Sequence, residues 1–147
     1  MKIFIGSDHA GFALKGLLAE YLRGRGFEVE DKGPFSYDEA DDYPDFTVPV
    51  ARAVAEDASA RGIIIGGSGQ GEAIAANRIK GVRTTVYYGG NIQVLHTARD
   101  HNDANVLSLG ARFMSEDEAK EAVMLWLETP FSGAERHIRR INKIDAA

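Results

Sequence analysis

Residues 62–80 read GIIIGGSGQGEAIAANRIK, and this stretch restricts the fold more than any other. An apolar run without polar alternation is the pattern of a strand covered on both faces, as in a parallel sheet between helix layers. A glycine-rich turn follows at once, and then an alanine-rich stretch with helical character. A strand, a tight loop and a helix in that order form one repeat of an α/β architecture.

The rest of the chain repeats the theme. KIFIG (2–6) reads as a first strand, and residues 11–26 as a helix with Phe12, Leu14, Leu17, Leu18, Tyr21 and Leu22 at helical spacing. FEVED (27–31) is a second strand, and residues 32–44 form the longest loop, rich in turn formers and acid. A helix is expected over about 45–58, with Pro49 in its first turns or kinking it. Strands at 62–66, 82–88 and 105–110 follow, the last two separated by a helix over 91–100. Two helices close the chain, each with a capping-box pattern, Ser115 with Glu118 and Ser132 with Glu135. The expected fold is a single α/β domain over 1–147, a three-layer αβα sandwich of Rossmann-like type around a five-stranded parallel sheet. Ligands of such sheets sit at the carboxyl ends of the strands. That rule gathers SDHAG, GGSGQGE and GAR and leaves RDHNDAN, which precedes its strand, at the opposite edge of its own subunit.

Composition removes several functions. With no cysteine there is no disulfide, thiolate nucleophile or Cys-based zinc site. A net charge of −5 argues against generic nucleic-acid binding. The apolar start breaks at Asp8 and His9, too early for a secretory signal, and no run is long enough to span a membrane. A cytoplasmic protein is the expectation.

Four glycines in the six positions 66–71, followed by Glu72, admit three readings. A dinucleotide site is disfavoured, because the spacing is G-x-G-x-G and the next strand ends in Tyr87 and Tyr88 rather than an acid. A purely structural turn would leave Glu72 as a favourable acid in a helix's first turn. A catalytic loop would hold a developing oxyanion on its amides while Glu72 moves a proton on carbon. Burial would raise the Glu72 pKa and the helix start would lower it, and the sequence leaves that balance open.

Other residues carry chemistry of their own. RHIRRINK (136–143) places Arg136 and Arg140 on one helical face, either as a solvated basic surface or as a phosphate clamp, beside an apolar stripe of Ile138, Ile141 and Ile144. His96, in an apolar helical stretch, reads as structural. His9 and His101 lie beside acids in polar loops, yet no metal-ligand motif is formed, and His101 suits proton exchange on a sugar oxygen.

The ordered set GSDHAGFALK, DYPDF, GGSGQGEAIAANRIKGVR, RDHNDANVLSLGAR and RHIRRI resembles the type B ribose-5-phosphate isomerases and the related galactose- and allose-6-phosphate isomerases over nearly the whole chain. The resemblance implies metal-free, cofactor-free interconversion of a phosphorylated aldose and ketose through a cis-enediolate, with ribose 5-phosphate and ribulose 5-phosphate as the first expectation. A six-carbon sugar phosphate or a non-catalytic binding module stands as the alternative. By the same resemblance Asp8 and His9 contact the sugar. The backbone of Gly67, Ser68, Gly69, Gln70 and Gly71 forms an anion hole completed by Asn102. His101 opens the ring with Ser68, and Arg112, Arg136 and Arg140 hold the phosphate with His137 close by. Many relatives carry a cysteine base where Gly66 stands here; a second branch uses a glutamate, which Glu72 matches. The family's shared site implies a homodimer, or a tetramer of two such dimers, in which His101 and Asn102 reach a neighbour's glycine loop.

Overall fold

The computed structural model describes all residues from Met1 to Ala147. Five strands form one sheet: β1 (Lys2–Ser7), β2 (Glu28–Asp31), β3 (Arg61–Gly66), β4 (Thr84–Tyr87) and β5 (Val106–Gly110). The order is β2-β1-β3-β5-β4, and every neighbouring pair is parallel. Six α-helices connect and flank them: α1 (Phe12–Gly24), α2 (Pro44–Glu56), α3 (Gln70–Ala76), α4 (Gln93–Asn102), α5 (Glu116–Glu128) and α6 (Glu135–Asp145). This is the three-layer sandwich read from the pattern.

Strand alternation divides the core into two layers. Ile3, Ile5, Ile63, Ile65, Leu107 and Leu109 point to one face, against Leu14, Leu18 and Leu22 of α1 and Val123 and Trp126 of α5. Phe4, Ile64 and Val106 point to the other, against Val50, Ala51 and Val54 of α2 and Ala76 of α3. Because β3 lies mid-sheet, its isoleucines are fully buried on both faces, which is why its sequence shows no polar alternation. The chain therefore leaves β1 toward one face and β3 toward the other. Adjacent parallel strands whose exits diverge leave a crevice at their carboxyl ends.

Several local expectations shift. Pro44 takes the first helical position of α2 and Pro49 sits inside the helix. The third helix stops at Ala76, and the fourth strand begins at Thr84 instead of residue 82. Ser115 and Glu118 form the expected capping box, each side chain bonded to the other's backbone amide. Ser132 does not: α6 begins at Glu135 behind Ala134, while the Ser132 hydroxyl donates to the Asp100 carbonyl at 2.8 Å. A tertiary acceptor thus outcompetes the local cap. His96 is exposed on α4 rather than structural, and the buried polar residue of that helix is Arg99, which donates to the Thr129 and Ala104 carbonyls and pairs with Asp103 at 2.7 Å. On α6 only Ile141 of the apolar stripe is buried; Ile138 and Ile144 are exposed. No helix is long and apolar enough to cross a membrane.

Candidate active site

The crevice holds a cavity of about 300 Å³ bounded by Asp8, Gly67, Ser68, Gly71, Glu72 and Arg112, with Tyr43 and Phe113 at its rim. Three strand exits supply it. Asp8 follows β1 and accepts from the Gly11 amide at 3.2 Å, which closes the turn into α1. The glycine loop follows β3, and Arg112 follows β5. Asp8 and Glu72 are both buried, whereas Arg112 is exposed with its guanidinium over Gly67.

The loop is held from outside. Gly69 has φ of 76°, a left-handed conformation that favours glycine, and its carbonyl accepts from the buried Ser108 hydroxyl of β5 at 2.6 Å. The Gly67 carbonyl accepts from the Arg112 amide at 3.1 Å, and the Ser68 hydroxyl accepts from the Gln70 amide at 3.3 Å. With its carbonyls tied back, the turn keeps the amides of Gly67, Ser68, Gly69 and Gly71 free of any acceptor within the chain. Several unspent donors in one short turn form an anion-binding surface.

Glu72 lies one turn beyond, in the first turn of α3, folded back over the end of β3. A Cβ on Gly66 would fall on the Glu72 carboxylate, overlapping Oε1 and Cδ. The carboxylate therefore occupies the volume that any side chain at position 66 would fill. Burial is the largest influence on Glu72 and raises its pKa above the ordinary 4.5, with the negative charge of Asp8 adding to the effect and Arg112 opposing it. Desolvation wins the balance that the sequence left open.

The remaining expected residues gather elsewhere. His101 is in the last turn of α4, not in a loop, and its ring stacks on His137 of α6 with centroids 4.3 Å apart. His137 is buried, and that burial, with the nearby Arg136, His101 and Arg140, lowers its pKa and favours the neutral ring. Arg136 and Arg140 are exposed on the same helix. Asn102 lines a different cleft beside Asn77, Arg83, Thr84 and Thr85, near the start of β4, where no acid or histidine takes part. Within one chain, then, Asp8, Gly67, Ser68, Gly71, Glu72 and Arg112 come together, and His101, Asn102, Arg136, His137 and Arg140 do not join them. Gln70 is exposed beyond the loop, its side chain turned back to the Ser68 carbonyl at 3.4 Å.

His9 is half-buried beside this crevice and bonded to Asp41, at 2.7 Å from Nδ1 and 3.0 Å from its backbone amide. Asp8, His9 and Asp41 also form the one group whose donor atoms, within 4.8 Å of one another, could meet a cation. Two of the three are already joined by the hydrogen bonds just described. Tyr43, Phe113 and Asp41 carry no role in the reading from sequence. The first belongs to DYPDF, but nothing in that string indicates that its ring packs over Gly71.

A parallel sheet whose crevice gathers a buried carboxylate and free backbone amides offers a base and anion donors around one cavity. The chain belongs to the ribose/galactose isomerase family, whose pattern it matches over residues 3–144. It is 41% identical to ribose-5-phosphate isomerase B of Mycolicibacterium paratuberculosis over 142 residues, covering 97% of this chain and 88% of that protein. The structure of ribose-5-phosphate isomerase B from Mycoplasma genitalium with bound ribulose-5-phosphate superimposes with a TM-score of 0.93 at 41% identity, covering 99% of this chain and 94% of that one. That of Clostridium thermocellum ribose-5-phosphate isomerase B gives 0.93 at 45% identity, covering 99% and 96%.

Two outcomes are expected from this geometry. Gly66→Ala forces the Glu72 carboxylate from its seat, so kcat should fall about 100-fold, as a displacement near 1 Å can cause, while the protein stays folded. Retained kcat would show that the carboxylate does not act from this position. In the second, the native state binds the Glu72 proton more tightly than the unfolded chain does. Its contribution is therefore most favourable below pH 4.5 and is lost as pH rises through the elevated native pKa. Glu72→Gln should raise Tm at pH 7 relative to the parent, with the gain disappearing toward pH 4. A Tm difference independent of pH would contradict the assignment.

Proposed function

We propose that this protein interconverts ribose 5-phosphate and ribulose 5-phosphate, with Glu72 carrying the proton between C2 and C1. The observation that carries the reading is the buried Glu72 carboxylate, of raised pKa, beside the unspent amides of the glycine loop. In the open-chain aldose the carboxylate takes the C2 proton, and the carbonyl at C1 gains the charge of a cis-enediolate oxygen. The free amides of Gly67, Ser68, Gly69 and Gly71 hold that oxygen, and their fixed orientation means no reorganisation as charge develops. Glu72, now protonated, returns the proton to C1, and the O2 proton passes to O1, leaving the C2 carbonyl and C1 hydroxyl of the ketose. A carboxylate whose pKa is raised is a stronger base than an ordinary one.

The relatives named ribose-5-phosphate isomerase B, and the bound ribulose-5-phosphate of the Mycoplasma genitalium protein, support the pentose phosphate as substrate. In this reading Asp8 and His9 contact the sugar hydroxyls, Ser68 and His101 assist ring opening, and Arg112, Arg136 and Arg140 hold the phosphate with His137. Asn102 completes the anion hole. Those from α4 and α6 reach the crevice of a second copy, so the catalytic unit is a homodimer with shared sites. Support for this comes from two facts about one chain: the His101–His137 stack and its arginines stand apart from Glu72, and α6 leaves Ile138 and Ile144 exposed.

Turnover of ribose 5-phosphate in EDTA tests the reaction. The parent should be active, and Glu72→Gln should lose about 100- to 10,000-fold in kcat with KM little changed. A variant with intact kcat and a raised KM would remove Glu72 as the base. The shared site has its own check. Glu72→Gln and His101→Asn chains, each inactive alone, should regain activity when mixed and allowed to exchange subunits; no recovery would place the whole site within one chain.

A further inference from the structure

The loop over residues 32–43 is exposed from Phe35 to Ala40 and then turns inward at Asp41, whose side chain is only 7% exposed. One oxygen of that carboxylate, Oδ1, receives both the His9 backbone amide at 3.0 Å and the ring Nδ1 at 2.7 Å. The other, Oδ2, is buried and has no partner. We infer that Asp41 is a positioning residue for the isomerisation, holding the His9 ring with its proton on Nδ1 and keeping it cationic, so that Nε2–H serves the crevice as a fixed donor. The inference deepens the proposed function and rests on its assignment of His9 to the sugar.

Three considerations support it. A buried carboxylate whose second oxygen is unpaired has its charge compensated through Oδ1 alone, so loss of the imidazolium charge would leave it exposed to the full cost of desolvation. The two bonds from one residue fix the ring as well as the chain, because Nδ1 and the amide approach the same atom. With Nδ1 committed, Nε2 is the nitrogen left without a partner in the chain. Around the ring, Asp41 of the loop and Asp8 of its own segment favour the cation, and Arg112 from the turn after β5 opposes it; the hydrogen bond to Asp41 is the largest influence and the pKa is raised. The Tyr37 ring from the same loop meets His9 edge-on with centroids 6.4 Å apart, and it also packs on Phe12. The acidic loop thereby meets His9 through the Asp41 carboxylate and the Tyr37 ring, while its Tyr43 reaches the crevice itself.

Asp41→Asn separates charge from shape, since the amide oxygen can still accept the His9 backbone N–H. The measurements are an NMR titration of the His9 ring and kcat/KM for ribose 5-phosphate against pH. They are made in the parent, Asp41→Asn, Asp41→Glu, His9→Asn and the Asp41→Asn/His9→Asn double variant. The expected result is a His9 titration moved to lower pH in Asp41→Asn. Its kcat/KM should fall about tenfold at pH 8 with little loss at pH 6, and Asp41→Glu should recover most of it. In the His9→Asn background the second substitution should cost nothing further. An unmoved His9 titration overturns the proposal, as does a loss equal at both pH values or undiminished in the His9→Asn background. Absence of any ribose 5-phosphate turnover in the parent would instead defeat the proposed function, and the NMR titration would still decide whether Asp41 sets the His9 proton.

Discussion

The close approach of the Glu72 carboxylate to the bare backbone of Gly66 is the contact on which the site depends. A carboxylate can reach the end of β3 only because position 66 has no Cβ, and it can be buried there because the helix that carries it starts directly after Gly69, its left-handed N-cap, which puts Glu72 in the first turn. Burial then sets its chemistry, raising its pKa against the opposing charge of Arg112. Position, exposure and basicity of one side chain thus follow from the geometry of one short loop.

That loop is in turn a product of the sheet. β3 is the middle strand, flanked by β1 and β5, and the residues that fix the glycine turn come from the end of β5: the Ser108 hydroxyl on the Gly69 carbonyl and the Arg112 amide on the Gly67 carbonyl. Tying back the carbonyls leaves the amides available, which is the usual economy of an oxyanion site: donors are oriented by the fold before any substrate arrives. Asp8 enters from β1 on the other side. Parallel strands with short βα turns bring three such exits to one edge, and diverging helices keep the space between them open.

The parts of the fold carried by local pattern were legible in the residues. The unbroken apolar run of β3, the helical spacing in α1 and the Ser115–Glu118 box all depend on neighbours in sequence, and all form as read. Features decided by distant partners were not. The Ser132 hydroxyl is taken by Asp100, and His96 faces outward while Arg99, with an ordinary look in RDHND, is buried among carbonyls. Asp41 sits in a string of acids that reads as solvated loop, and only its contact with His9, thirty-two positions away, distinguishes it.

The sequence by itself determined the α/β class, the parallel sheet, the glycine loop and the candidacy of Glu72, because strand and helix periodicity and the special backbone needs of glycine are local properties. Tertiary structure alone decided that Glu72 is buried with a raised pKa and that the loop's amides are left unspent. It also decided that the His101–His137 pair stands apart from the crevice within one chain. These depend on which side chains desolvate one another across the sheet, and no spacing along the chain encodes that distance.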